Sequence, residues 1–181
     1  MWPFRTVRTS LAERAGPDDH QSMNTVRTPV AAIRPPGGGL AGIRRILLAT
    51  DLGSESRAAA ERALALAVEH GAELLVLSVI DPVSLRLPGG RFLRRVDQER
   101  ARVEAAIQVL VLRARADGIR ATFLVWEGDP VEMILLAAAA EDCDLIVVGS
   151  HGRGRLGRLV LGSISSRLAA RDPDHVLVIP A

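Results

Sequence analysis

The chain has 181 residues, enough for one domain with a modest appendage, and 48% of them are apolar, ordinary for a packed globule. All 23 basic residues are arginine against 21 acids, and residues 43–181 carry 18 of each, so the body lacks the basic footprint of a nucleic-acid partner. One cysteine excludes a disulfide framework or a multi-cysteine zinc site, and the longest apolar run, Met133–Ala140, is too short for a membrane span, which points to a cytoplasmic protein.

Residues 1–42 hold Pro3, Pro17, Pro29, Pro35 and Pro36, then Gly37, Gly38 and Gly39. They sustain no apolar period of two or 3.6. Such a segment buries too little apolar surface to offset the entropy of ordering it, so a disordered N-terminal extension is expected. Met1–Arg14 is Arg-rich and acid-poor, as targeting leaders are, but lacks the apolar centre of a secretory signal. Met23 is a second candidate start. The folded domain is expected over residues 43–181.

From Arg44 the pattern changes to short Val/Ile/Leu runs alternating with helical stretches. Strands are predicted at Arg45–Thr50, Glu73–Val79, Arg120–Trp126, Asp144–Gly149 and His175–Ile179. Three of these runs are continuous rather than alternating, as in parallel strands covered on both faces. A helix is predicted over Ser54–His70, with Ala60, Ala63, Leu64, Ala67 and Val68 on one apolar face. Ser54 or Ser56 is placed to cap it, and Gly71 to end it. Residues 82–96, with Pro82, Pro88, Gly89, Gly90 and an arginine cluster, read as a long surface loop or lid. A second helix is predicted over Asp97–Asp117, with Val103, Ala106, Ile107, Leu110 and Ala114 inward and Gly118 as its stop. A third, Pro130–Glu141, has Asp129 as N-cap and Pro130 at its first position. A last helix covers Ser163–Arg171. Strand–helix alternation of this kind builds an open, Rossmann-like α/β parallel sheet with helices on both faces.

The most informative stretch runs from Asp144 to Ser165. A buried strand enters Gly149, then Gly152, Gly154 and Gly157 follow, and Gly162-Ser163 heads a helix. Glycines beyond a strand's carboxyl end let backbone N–H groups approach an anion, and the helix N-terminus adds unsatisfied donors and a favourable dipole. Ser163 and Ser165 can add hydroxyl donors. Together these features describe a phosphate cradle; a strand-to-helix turn without a ligand is the bland alternative. It is not a P-loop, for the chain has no lysine.

With this pattern the sequence resembles the universal stress protein family over residues 44–181. Gly149-x2-Gly152-x9-Gly162-Ser163 matches the glycine signature of its ATP-binding members. Ile46–Asp51, Val79-Ile80-Asp81 and Gly128-Asp129-Pro130 also match. The resemblance implies an adenine nucleotide alpha hydrolase-like sheet in the order 3-2-1-4-5. It also implies bound ATP, with Mg2+ left open. Ala49 and Asp51 would lie by the adenosine and Val79 by the adenine. Val148 and Gly149 would line the nucleotide, with Gly152 and Arg153 along the phosphates. Gly162, Ser163, Ile164 and Ser165 would form the triphosphate turn. Many members form homodimers through the last strand, here residues 175–179. Where the family often has Cys-Pro before that strand, this chain has Asp174-His175.

Three functions fit. One is a regulatory module of stress response that holds ATP without fast turnover. Another is a slow ATPase or autophosphorylating protein, for which Asp51, Asp81 and Glu127 are candidate carboxylates, though in no motif that forces hydrolysis. The third is a nucleotide-free interaction module. The complete glycine signature argues against the third, the second lacks an evident general base with a partner, and the first is the reading taken. Cys143, before a buried strand, reads as a packed thiol, and Trp126 as a packing or rim residue.

Overall fold

The computed structural model describes residues 42–84, 92–150 and 162–180. Five strands form one sheet: β1 (Arg45–Ala49), β2 (Glu73–Ile80), β3 (Ala121–Glu127), β4 (Leu145–Gly149) and β5 (Val176–Ile179). Their order is β3-β2-β1-β4-β5, and every pairing is parallel. The helices are α1 (Arg57–His70), α2 (Phe92–Ala116), α3 (Pro130–Ala140) and α4 (Ser163–Arg171). A 3-10 turn, Ser54–Ser56, leads into α1.

The pleat divides the core into two layers. Ile46, Leu48, Leu74, Val76, Phe123, Val125 and Val147 face α1 and α2. Leu47, Leu75, Leu77, Leu124, Ile146 and Val148 face α3 and α4. Alternate side chains of a strand point to opposite faces, so a continuous apolar run feeds both layers at once. Each fully buried Leu or Ile contributes roughly 1.5–3 kcal/mol.

The helices differ from expectation in detail. On α1 the buried stripe is Ala59, Ala63, Leu64, Leu66 and Ala67, while Val68 is 60% exposed. An alanine-rich sequence leaves the orientation of the apolar face underdetermined, and the bulky Leu66 sets it. Gly71 ends the helix at φ +61, the left-handed conformation that glycine adopts without penalty. On α2 the buried stripe is Val96, Val103, Ile107, Val111 and Ala114, with Ala106 exposed. The helix begins at Phe92, so residues 92–96 are not part of a loop. The reason is visible at Val96, which lies seven positions before Val103 and extends the same face. Residues 85–91 of the proposed lid, with Arg86 and Arg91, lie outside the described residues. So do Trp2, Phe4 and the whole of residues 1–41.

The amino edge of the sheet is tied together by its own charges, around a cavity of about 390 Å³ lined by Arg44, Arg45, Glu73, Arg120 and Asp144. The Arg45 guanidinium meets the Glu73 carboxylate at 2.7 Å and the Glu141 carbonyl at 2.5 Å. That hydrogen bond with Arg45 holds the Glu73 carboxyl below its usual range. Asp144 accepts from the Arg44 and Arg45 backbone N–H groups at 2.8 and 3.0 Å. His175, buried before β5, meets Asp172 at 2.6 Å.

Candidate functional site

The carboxyl edge is built differently. The strand order places the ends of β2, β1 and β4 side by side, with Ala49 in register with Leu77 on one side and Val148 on the other. The pairing continues one residue past the strands: Thr50 N–H donates to the Leu77 carbonyl at 2.9 Å, and Ser150 N–H to the Ile179 carbonyl at 2.7 Å. Here the direction of the sheet connection reverses between β1 and β4, the place where open parallel sheets leave a crevice.

The sequence-predicted residues divide by burial. Ala49 and Val148 are buried, with side chains in the α3–α4 layer, so only their main chain faces the edge. Val79 is half-buried at the end of β2, packed against the same layer. Gly149 ends β4, and Gly162 precedes α4. Gly162 N–H donates to the Ser150 carbonyl at 2.6 Å, tying the start of α4 to the end of β4. Gly152 and Arg153, with the loop residues His151 to Leu161, lie outside the described residues.

α4 begins with Gly162 at the N-cap and has no side-chain cap. The first-turn N–H groups of a helix have no partner within it, and their dipoles add, so this start suits an anion. Ser163 and Ile164 are exposed there. Ser165 differs from its expected role. It is only 3% exposed, and its hydroxyl lies against the Ser150 carbonyl at 3.1 Å and the Gly162 carbonyl at 3.0 Å. The hydroxyl available on the exposed turn is therefore that of Ser163.

Asp51 follows β1 and is half-buried. Its Oδ1 accepts from the Gly53 N–H and the Ser56 hydroxyl, each at 2.9 Å. Neither Ser54 nor Ser56 caps a helix with its side chain. Thr50 and Ser56, which sequence reasoning did not assign to the site, are both buried beside Asp51. Leu52, between Asp51 and Gly53, holds a positive φ of 60 while its side chain packs on the core.

The other candidate carboxylates are engaged elsewhere. Asp81 Oδ1 accepts from the Val83 N–H at 2.8 Å. Glu127 is paired with Arg100, which also donates to the Val125 carbonyl at 3.3 Å. Asp129 caps α3, accepting from Val131 and Glu132 N–H at 3.0 and 3.1 Å. The Glu132 N–H first, then the Arg167 guanidinium and the Val131 N–H, hold the Asp129 carboxyl below its usual range. Burial pushes the Cys143 thiol up to about 12, which makes it an inert packed group. Trp126 is half-buried against the α3–α4 layer. Among the described residues no His/Cys/Asp/Glu cluster is placed to hold a metal ion. No helix of the described residues is long and apolar enough to cross a membrane.

The model of the universal stress protein family matches residues 42–180. The chain belongs to that family. A universal stress protein of Thermus aquaticus is 39% identical over 139 residues, spanning 75% of this chain and 98% of the relative. The solved structure of universal stress protein UspA from Lactobacillus plantarum is 26% identical, with a TM-score of 0.69 over 76% of this chain and 97% of that one. A universal stress protein solved in complex with cAMP has the same fold, at 24% identity and a TM-score of 0.57, over 76% of this chain and 97% of that one. The observed order 3-2-1-4-5 is the one the sequence resemblance implied.

Proposed function

We propose that this chain is a cytoplasmic stress-response regulator that binds one ATP per subunit at the carboxyl edge of its sheet. The observation that carries the proposal is the uncapped start of α4, tied by Gly162 to the end of β4, where the glycine signature begins. Donors that no side chain among the described residues caps suit a phosphate chain. Gly162 with the main chain of Ser163 to Ser165 would hold the phosphates, joined by Gly152 and Arg153 of the signature. Val79 offers an apolar edge for adenine, and Asp51 a carboxylate for the sugar. A universal stress protein of this fold binds cAMP, which supports an adenine nucleotide as the ligand class.

A ligand held only by the folded form shifts conformation and stability by mass action, so ATP level would be read out without rapid turnover. Regulation would act on a homodimer through β5, an edge strand whose residues Val176–Ile179 are all half-buried. Light scattering tests this arm: twice the 19.4 kDa chain mass is expected, and a monomer at working concentration removes it. For the nucleotide, the purified protein is denatured and any released ligand identified by chromatography, followed by add-back titration. ATP, released or bound near stoichiometrically, is the expected result. Released ADP would move the reading to turnover, and no nucleotide with no binding would move it to an interaction module.

A further inference from the structure

Five side-chain hydrogen bonds tie residues 50 to 56 together. Leu52 N–H donates to Thr50 Oγ1 at 3.0 Å, and the Thr50 hydroxyl donates to Ser56 Oγ at 3.0 Å. The Ser56 hydroxyl donates to Asp51 Oδ1 at 2.9 Å, shared with the Gly53 carbonyl at 2.9 Å. Gly53 N–H donates to the same Oδ1 at 2.9 Å. Each hydroxyl accepts one bond and passes one on, and such chains strengthen cooperatively. The hydroxyl chain and the Gly53 N–H both end on Asp51 Oδ1. With Oδ1 fixed, the plane of the Asp51 carboxylate is fixed, and so is the direction of Oδ2.

The arrangement runs against local stability in two places. Ser56 occupies the N-cap of α1, where its oxygen would ordinarily accept a first-turn N–H and stabilise the helix. It makes no such bond. Leu52 sits in the left-handed region, which is strained for a non-glycine residue, although Gly53 is the next residue. Forgone caps and backbone outliers of this kind cluster at binding sites, where orientation is worth more than helix stability.

The strand order says which part of a nucleotide this carboxylate meets. Val79 follows the line of β2, Asp51 that of β1, and Gly149 with the α4 start that of β4. Neighbouring strands lie about 4.8 Å apart, so base, sugar and phosphate fall on β2, β1 and β4 in turn. We infer that Ser56, backed by Thr50, is a positioning residue that aims the Asp51 carboxylate at the ribose hydroxyls and makes the site select ribonucleotides over deoxyribonucleotides. The inference rests on the nucleotide reading above and names a discrimination that reading does not require.

The test is a binding titration of ATP, 2′-deoxy-ATP and 3′-deoxy-ATP against the full chain and against Ser56→Ala, Ser56→Thr and Thr50→Val. The unaltered chain is expected to bind ATP about tenfold more tightly than at least one deoxy analogue. In Ser56→Ala and Thr50→Val that preference shrinks towards unity, and Ser56→Thr restores it. A variant that merely loosens the fold weakens all three ligands alike and leaves the ratio unchanged. Equal affinity of the unaltered chain for ATP and both analogues overturns the inference with no variant needed, and leaves the ATP reading standing. An unchanged ratio in both Ser56→Ala and Thr50→Val overturns it too. Absence of binding by the unaltered chain overturns both.

Discussion

Two helices start at the carboxyl edge on the same face of the sheet, and their starts are built in opposite ways. α3 is sealed: Asp129 accepts from two first-turn N–H groups, Pro130 removes a third donor, and Arg167 lies 3.4 Å from the Asp129 carboxylate. α4 has glycine where α3 has aspartate, and no side chain among the described residues caps it. A capped helix keeps its dipole for itself; an uncapped one leaves donors for something else. The contrast singles out the start of α4, rather than helix starts in general, as the end of the crevice proposed for the phosphates.

Exchanging the chemistry of the two starts should break the contrast. The largest effect is expected from Gly162→Asp. The Gly162 backbone is extended at φ −60, ψ 157, so aspartate fits it and caps α4. Stability should hold or rise by up to about 1 kcal/mol, while a carboxylate placed among the phosphates lowers ATP affinity by about a hundredfold or more. Thermal melts and titration calorimetry on one sample separate the two quantities.

Asp129→Ala should do the converse, costing about 1 kcal/mol in a urea titration and leaving ATP affinity nearly unchanged. Its pH dependence has a fixed sign. The folded carboxyl titrates below its ordinary value of 3.8, so its stabilisation is present above that value and lost as pH falls through the folded pKa. Acid unfolding of Asp129→Ala should therefore show a shallower pH dependence below pH 4 than the unaltered chain. Ser163→Ala should be the mildest change. It removes one exposed hydroxyl and no backbone donor, so a loss of about two- to fivefold in ATP affinity is expected, with the melting temperature unmoved.

The parallel fold was legible because continuous apolar runs such as Leu145–Val148 have few other uses in a chain of this length. The α3 cap was legible for a related reason: Asp129-Pro130 is a local signal, complete within two residues. The α1 face was legible at Ala63, Leu64 and Ala67 but was read a step off, with Val68 exposed and Ala59 and Leu66 buried, because Ala59 and Ala60 differ little in what their burial is worth. Residues 92–96 were assigned to a loop because Arg94 and Arg95 carry no apolar period, and Val96 declares itself only beside Val103. At the site, Asp51 stood out at a strand end, but Ser56 read as a helix cap. Its partners are set by the left-handed turn at Leu52, which no periodicity reports. A serine hydroxyl suits a cap and a carboxylate equally, and the three-dimensional turn decides between them.

The most direct test of the central claim is an amide NMR titration of the 15N-labelled full chain with ATP. The account predicts saturable shifts at Gly162, Ser163, Ile164 and Ser165, the uncapped start of α4, with Val131 and Glu132 at the sealed start of α3 unmoved. Shifts at Val131 and Glu132 without movement at 162–165, or no shift anywhere at millimolar ATP, would contradict it.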